Sequence, residues 1–213
     1  VLVKSEKPMF YELGAKATLI DRKLYGTIAL FSNKVNNYQT DVFTPATPAN
    51  PVPGFAQGNA PYILSQGIDI NVFGKVTPEL TLNAGVIYNR AKYAPTYVVQ
   101  CSQVQVPGSG TCLEVAPETF ATKPVDQVAG IPKWRVLLNG EFAKELGSNL
   151  TAFLQADFVY QTGVSYSSSP DPFVAGGDQY LLGGRLGMRA SDGRWGASVF
   201  VRNLLDNNYP VII

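Results

Sequence analysis

The sequence predicts an all-β protein: an antiparallel meander of about eight long strands that forms part of a transmembrane β-barrel. Apolar and polar residues alternate with a period of two in eight segments. These segments run for roughly 9 to 15 residues, whereas strands of soluble proteins usually have ~5–6. Short turns and long connections also alternate along the chain, as they do in outer-membrane barrels. The predicted strands cover residues 9–19, 24–38, 63–76, 80–93, 131–146, 150–166, 179–190 and 195–202.

In the first four strands, apolar residues take alternate positions and polar residues connect the strands. The tight turns are Asp21-Arg22-Lys23 and Thr77-Pro78-Glu79, and both contain residue types that favour turns. Asp69 and Asn71 stand between the apolar residues of the third strand. The apolar set of strands one, three and four is Leu13, Ala15, Ala17 and Leu19; Ile68, Ile70 and Val72; Leu82, Ala84, Val86 and Tyr88.

The last four strands repeat this pattern. Gly147-Ser148-Asn149 and Ser191-Asp192-Gly193-Arg194 predict the tight turns. The alternating apolar set is Trp134, Val136, Leu138 and Phe142; Leu154, Ala156, Phe158 and Tyr160; Tyr180, Leu182, Leu186 and Met188; Ala197, Val199 and Val201. Each strand therefore has one apolar and one polar face.

Charged residues occupy the opposite parity: Glu12, Lys16, Asp69, Arg135, Glu141, Asp157, Arg185, Arg189 and Arg202. A half-buried sheet in a β-sandwich would show the same alternation. Strand length favours a membrane, because about 11 residues at ~3.3 Å each, tilted by ~40°, span a hydrocarbon core of ~25–30 Å. We therefore expect one set, Leu154, Phe158, Leu182 and Val199, to face lipid. We expect the other set, Asp157, Arg185 and Arg189, to face the lumen.

The long connections all lie at one end of the predicted sheet. They cover residues 39–62, 94–130 and 167–178. Outer-membrane barrels have short turns at one end and long outward loops at the other. The loop aromatic residues could grip a ligand or pack against one another, and the sequence identifies no ligand-binding residue. They are Tyr38, Phe43, Phe55, Tyr62, Tyr97, Phe120 and Phe173.

Cys101 and Cys112 are the only cysteines, and both lie in the longest connection. Cysteines on an outer surface meet an oxidising environment, which favours a disulfide. Two unpaired thiols are the alternative, and a zinc site would need further soft ligands that the neighbouring sequence lacks. We predict a Cys101–Cys112 disulfide.

The residue inventory disfavours several function classes. The chain has no histidine, which removes histidine-based relays, general bases and metal ligands. Paired carboxylates, a phosphate-binding glycine loop and metal-ligand spacing are also missing. A net charge of +1 gives no reason to expect nucleic acid. We therefore expect neither an enzyme nor a cofactor.

Four stretches of the chain are similar to the signature patterns of one protein family. Asn203-Leu204-Leu205-Asp206-Asn207-Asn208-Tyr209 is similar to its signature N-L-F-D-K-x-Y. Residues 5–16 are similar to its pattern P-E-K-S-x-x-Y-E-L-G-x-K, and residues 67–71 and 80–85 resemble G-x-E-x-E followed by L-T-L-x-A. Ile131-Pro132-Lys133-Trp134 resembles its strand entry V-P-x-W. Together these stretches resemble TonB-dependent outer-membrane receptors.

This resemblance implies a receptor of the Gram-negative outer membrane that takes up a scarce nutrient, such as a siderophore, vitamin or saccharide. Its partners would be the lipid bilayer, the small-molecule ligand and, through an N-terminal region, the TonB complex that supplies energy. Residues 1–213 would be the C-terminal portion of the barrel, without the plug domain and the closing strand. Two alternatives stay open: a self-contained eight-stranded barrel, and a secreted β-sandwich for ligand binding or adhesion.

Overall fold

Eight strands form one large antiparallel sheet in a computed structural model that describes residues 3–48 and 50–209. In chain order the strands are β1 (Lys7–Leu19), β2 (Leu24–Thr44), β3 (Gly54–Lys75), β4 (Leu80–Tyr93), β5 (Val99–Gln100), β6 (Leu113–Ala116), β7 (Thr119–Thr122), β8 (Trp134–Glu145), β9 (Leu150–Gln161), β10 (Gln179–Ala190) and β11 (Gly196–Val201). The large sheet has the order β1-β2-β3-β4-β8-β9-β10-β11. A small sheet, β5-β7-β6, lies within the connection between β4 and β8. The described residues include no helix with the length and apolar character needed to cross a membrane.

The predicted meander is confirmed, with corrections at strand ends. β4 and β10 have the predicted bounds, whereas β8 begins later and β9 ends earlier than expected. The largest difference is the β2–β3 hairpin. Most of the predicted loop 39–62 belongs to these two strands, which pair without a break in register from Leu24↔Gly74 to Thr44↔Gly54. Only residues 45–53 connect them.

Within the described residues, the sheet does not close into a barrel. β1 pairs only with β2 and β11 only with β10, so no ladder joins the two edge strands. A self-contained eight-stranded barrel would need that ladder. A β-sandwich would need a second sheet packed face to face on the first, and the described part of the chain offers only the small loop sheet. The open meander therefore fits neither alternative.

The strand register gathers the alternating apolar residues on one side of the sheet, here called the apolar face. Leu13 and Val199 on this face are 75% and 72% exposed. The face is continuous from β1 to β11 and includes Leu13, Ile28, Leu30, Ile68, Ile70, Leu82, Val86, Val136, Leu138, Leu154, Phe158, Leu182, Leu186 and Val199. An exposed apolar surface of this extent marks contact with a membrane or another protein.

Most deeply buried residues lie where the long connections are, not between layers of the sheet. Residues 94–133 and 162–178, with the outer parts of β2 and β3 (38–44 and 54–62), are here called the loop layer. Its core contains Ala60, Ala94, Tyr97 and Val99, with Tyr38, Val42, Tyr62 and Tyr93 packed around it. The loop layer therefore has its own small hydrophobic core above the open sheet.

Candidate functional site

Aromatic side chains border the apolar face at the end nearest the loop layer. Tyr88 and Trp134 are cross-strand partners with ring centroids 4.7 Å apart. Tyr160 and Tyr180 are also partners and stack at 5.3 Å. Rings with an apolar body and a polar tip concentrate at membrane–water interfaces. These four residues are called the aromatic row, and they end the aliphatic band on β4, β8, β9 and β10.

Asp178 fixes the hydroxyl groups of two tyrosines in the aromatic row. Tyr160 and Tyr180 donate hydrogen bonds to its Oδ2 atom at 2.9 and 3.3 Å, and the Gly163 amide donates to Oδ1 at 2.8 Å. The Gly163 amide, followed by the Tyr160 hydroxyl, lowers the pKa of the Asp178 carboxyl. Sequence reasoning missed Asp178, because nothing in its neighbourhood shows that two tyrosine hydroxyl groups converge there.

The Asn203–Tyr209 stretch forms a closed turn beside β10. Asn203 Oδ1 accepts from the Asn207 amide at 3.1 Å, and Asn203 Nδ2 donates to the Asn207 carbonyl at 3.2 Å. The Leu204 amide donates to the Leu182 carbonyl at 2.8 Å, and Asn207 Oδ1 accepts from the Tyr180 amide. The Leu204 amide and the Asn207 side chain thus supply β10 with bonds that a next strand residue would have supplied, while Asn203 closes the turn.

The opposite side of the sheet, called the polar face, carries an ordered charge network. Arg189 forms an ion pair with Glu141, with 2.8 Å between Nη2 and Oε1, and Gln155 donates to the same carboxylate. Arg185 donates to Ser198 Oγ at 2.8 Å. Other polar-face residues are Glu12, Lys16, Thr27, Asp69, Asn71, Asn83, Asn139 and Asp157.

Phe153 shows why an aromatic ring is tolerated on the polar face. It is only 6% exposed, and its partner across the ladder is Gly187, where a side chain would collide with the ring. The guanidinium groups of Arg185 and Arg189 lie 5.5 and 5.1 Å from the ring centroid. The ring is thus covered by cations, an arrangement that cation–π attraction stabilises, and the surface presented to solvent remains charged.

The seven residues predicted to face lipid or the lumen lie on two different faces of the sheet. Phe158 pairs with Leu182, and Leu186 links Leu154 with Val199 in one cross-strand row. Asp157, Arg185 and Arg189 have the other parity and lie on the polar face. Asp157 is directly opposite Gly183, and a side chain at Gly183 would collide with its carboxylate.

The predicted disulfide is confirmed. Cys101 and Cys112 are bonded, with Cα atoms 5.8 Å apart, and Cys112 is buried. The bond closes a loop beside the small β5-β7-β6 sheet. Hydrogen bonds then tie this segment to the next long loop: Ser169 Oγ donates to the Gln100 carbonyl at 2.7 Å, and Ser102 Oγ donates to the Pro170 carbonyl at 3.2 Å.

The loop aromatic residues mostly pack within the protein. Tyr97 is 3% exposed, and its hydroxyl donates to the Asp41 carbonyl at 2.8 Å. Phe43 and Phe55 contact each other across the β2–β3 hairpin. Phe173 differs, since it is 79% exposed at a single 3-10 turn, Pro172–Val174. It borders a cleft that is also lined by Gln100, Ser102, Gln103, Val104, Ser169 and Asp171.

The geometry of the described residues offers surfaces for contact. Among the described residues, no group of three Cys, Asp or Glu side chains is placed to hold a metal ion. The carboxylate of Glu141 pairs with Arg189, and that of Asp178 accepts hydrogen bonds from Tyr160 and Gly163. Both carboxylates therefore have partners within the protein. What the arrangement provides is an apolar surface, a wet charged surface and a tied loop layer at one end.

The sheet is similar in fold to solved receptors, although no curated protein matches the chain in sequence. The ferric yersiniabactin uptake receptor FyuA from Yersinia pestis aligns with a TM-score of 0.69 and 14% identity, over 97% of this chain and 26% of that one. The ferric-catecholate import receptor Fiu from E. coli K12 aligns at 0.62 and 18%, over 97% and 24%. The siderophore receptor PiuA from Acinetobacter baumannii aligns at 0.63 and 17%, over 95% and 25%.

The chain spans about a quarter of each of these structures. At such identities the likeness concerns the fold. The sequence itself matches a family model, described as TonB dependent receptor-like, beta-barrel, over residues 4–204. This match covers all eight strands of the large sheet and the two longest connections between them, residues 94–133 and 162–178. The chain therefore belongs to the TonB-dependent receptor β-barrel family of the Gram-negative outer membrane.

Proposed function

We propose that the chain forms the C-terminal part of the barrel of a receptor that actively takes up a scarce nutrient. The observation that carries this proposal is the family match over residues 4–204 on a meander with short turns at one end and long, tied loops at the other. The receptor binds its ligand and passes it on without transforming it. Energy comes from the TonB complex, which engages an N-terminal region of the receptor.

The two faces of the sheet have separate roles in this proposal. The apolar face, with Leu154, Phe158, Leu182 and Val199, meets lipid. The polar face, with Asp157, Arg185 and Arg189, lines the lumen. Support comes from the register that separates the two sets and from the solvent exposure of the apolar set. Neighbouring strands would pair with β1 and β11, since lipid cannot satisfy free amide and carbonyl groups.

Ferric siderophores are the ligand class to test first, because the similar structures named above are described as a ferric yersiniabactin uptake receptor, a ferric-catecholate import receptor and a siderophore receptor. The loop layer would contact the ligand from outside. Phe173 is the favoured contact, since its ring is exposed beside a cleft lined by polar groups. Aromatic side chains in such clefts supply large contact area at low entropic cost.

Uptake of labelled iron by cells tests this proposal. The full-length natural protein is expressed as the sole receptor in an iron-limited host, and a panel of ferric siderophores is supplied. We expect accumulation of at least one of them, and loss of accumulation when TonB is deleted while surface binding persists. Phe173→Ala should weaken binding, with Val52→Ala, an exposed apolar residue in the β2–β3 connection, as the control. Accumulation that is unaffected by TonB deletion would contradict the proposal.

A further inference from the structure

The apolar face becomes basic just beyond the aromatic row. On β4 the positions after Tyr88 on this face are Arg90 and Lys92. The strand register extends this polar and basic zone from β4 to β3 and β2. Arg90 is opposite Gln66, which is opposite Ser32 and hydrogen-bonds to it. Lys92 is opposite Leu64, which is opposite Lys34.

A fourth cation joins this group from the β8 side. The Asn89 amide donates to the Lys133 carbonyl at 2.9 Å, which places Lys133 beside β4. Its Nζ atom lies 5.9 Å from the centroid of the Tyr88 ring, which belongs to the apolar face. Lys34, Arg90, Lys92 and Lys133 are here called the basic patch.

Cations of the basic patch lack acidic partners within the described chain. The described residues form two ion pairs, Arg189–Glu141 and Arg194–Asp192, and neither includes a residue of the basic patch. Arg90, Lys92 and Lys133 are exposed, and Lys34 lies 4.1 Å from the Tyr62 ring centroid. On β1 to β4, the positions of this face beyond the aromatic row contain no acidic residue: Lys7, Met9, Tyr11, Ser32, Lys34, Asn36, Tyr62, Leu64, Gln66, Arg90 and Lys92. On the polar face, by contrast, Arg189 pairs with Glu141 and Arg185 donates to Ser198.

The location of the patch identifies its partner. The long loops mark the external end of the barrel, and the aromatic row marks the outer interface of the hydrocarbon core. The basic patch lies between them, at the depth of the outer-leaflet headgroups. We infer that it binds the phosphate groups of the phosphorylated glycolipid of that leaflet, lipopolysaccharide. Cross-strand spacing puts Lys34 and Lys92 about 10 Å apart and Arg90 and Lys92 about 7 Å apart, so one headgroup can contact several cations.

Native mass spectrometry of the full-length natural protein measures this binding. The protein is purified in a mild detergent from outer membranes, and retained lipopolysaccharide is counted per protein. The test variant combines Lys34→Gln, Arg90→Gln, Lys92→Gln and Lys133→Gln. The matched control combines Arg22→Gln, Lys23→Gln, Lys75→Gln and Lys144→Gln, which removes the same charge from exposed positions at the turn end.

Retention should fall at least tenfold in the test variant and stay within twofold in the control. The basis is that each cation near an anionic membrane surface changes binding by about fivefold. The double variant Arg90→Gln/Lys92→Gln, which keeps two patch cations, should lose part of the retained lipid. Folding of every variant is checked by the heat-dependent gel mobility of the barrel. Equal retention by the folded test and control variants would overturn the inference.

Reconstituted nanodiscs distinguish the phosphate source. The wild-type protein should exchange its lipid against phosphorylated glycolipid and at least tenfold less against the dephosphorylated form. Inorganic phosphate at millimolar concentration should leave the bound lipid in place, because the acyl chains hold the headgroup at the patch. Equal binding of the dephosphorylated glycolipid, or full displacement by inorganic phosphate, would contradict a site for membrane-anchored phosphate.

Discussion

Gly67 lies where β3 approaches its neighbours so closely that no side chain fits. A Cβ atom there would be 1.9 Å from the Tyr88 carbonyl oxygen and 2.6 Å from the ring of Phe31, its partner on β2. The obstacle on one side is backbone, which cannot rotate away. The ring of Phe31 therefore packs over the glycine and fills the space that a side chain would have taken.

Replacing this glycine should destabilise the barrel. Gly67→Ala is expected to cost about 1–3 kcal/mol, the usual range for overpacking a close contact. Gly26→Ala is the matched control, because no atom lies within 4 Å of a Cβ built at Gly26 on β2. The temperature at which the full-length natural protein loses its folded gel mobility measures the difference. Equal midpoints for the two variants would contradict the close approach at Gly67.

The two faces of the sheet should respond differently to a new charge. Leu182→Arg places a guanidinium on the apolar face, two residues inside Tyr180 of the aromatic row, and we expect a cost of about 1–2 kcal/mol, between the values for the interface and for mid-membrane. Asn139→Arg places the same group on the polar face, opposite Asp157, where the cost should be far smaller. Unfolding in denaturant of the full-length natural protein in lipid vesicles gives both values. Similar costs at the two positions would mean that Leu182 does not contact lipid.

Asp178 makes the end of the β9–β10 hairpin sensitive to acid. Because its pKa in the folded protein lies below that of the unfolded chain, its stabilising effect is present above about pH 4. The effect is lost as the pH falls through the lowered pKa, when the carboxylate gains a proton and its acceptor bonds to Gly163 and Tyr160 weaken.

The melting temperature of the full-length natural protein checks this dependence. Asp178→Asn should lower the melting temperature relative to wild type at pH 6, and the gap between the two should narrow at pH 2.5. Asp192→Asn, in the exposed β10–β11 turn, serves as the control carboxylate. A gap for Asp178→Asn that is equally wide at both pH values would refute the assignment.

At the scale of elements, the β2–β3 hairpin shows where sequence patterns stop predicting strands. Residues 24–38 and 63–76 alternate clearly, so their pairing was predictable. The extension over residues 54–62 contains Gly54, Gly58 and Pro61, which strands usually avoid. Its strand form is supported by the packing of Ala60 against Ala94, Tyr97 and Val99, a tertiary contact with no local sequence signal. The predicted start of β8 and end of β9 are wrong for a related reason. Just beyond β9, Thr162 Oγ1 accepts hydrogen bonds from the amides of Lys133 and Trp134, and this side-chain contact has no signal in the alternation pattern.

The disulfide should order its loop without supporting the barrel. Cys101→Ser/Cys112→Ser opens a loop of about a dozen residues, worth roughly 3 kcal/mol in the chain-entropy model. Hydrogen exchange should therefore rise in β5, β6 and β7, while β9 and β10 exchange as in wild type. Mass spectrometry of peptides from the full-length natural protein reads both regions at once. Faster exchange throughout the large sheet would show that the bond supports the barrel.

At the scale of the whole molecule, the fold class and the sorting of residues between faces followed from period-two alternation and strand length. The disulfide followed from compartment chemistry. The Asp178 cluster, the cation-covered Phe153 ring and the cleft at Phe173 did not follow, because each depends on residues brought together by register or by loop packing. Alternation assigns a side to each residue, and only the assembled sheet shows which residues on that side touch.

Electron paramagnetic resonance can show whether one face of this sheet meets lipid and the other meets water. Single cysteines at residues 154–158 of β9 are spin-labelled in the full-length natural protein, in outer-membrane vesicles, with any other free cysteine replaced. We predict high collision rates with oxygen at 154, 156 and 158, and with a polar nickel reagent at 155 and 157. The two profiles should alternate out of phase. Profiles that rise and fall together, or that lack a period of two, would contradict the account.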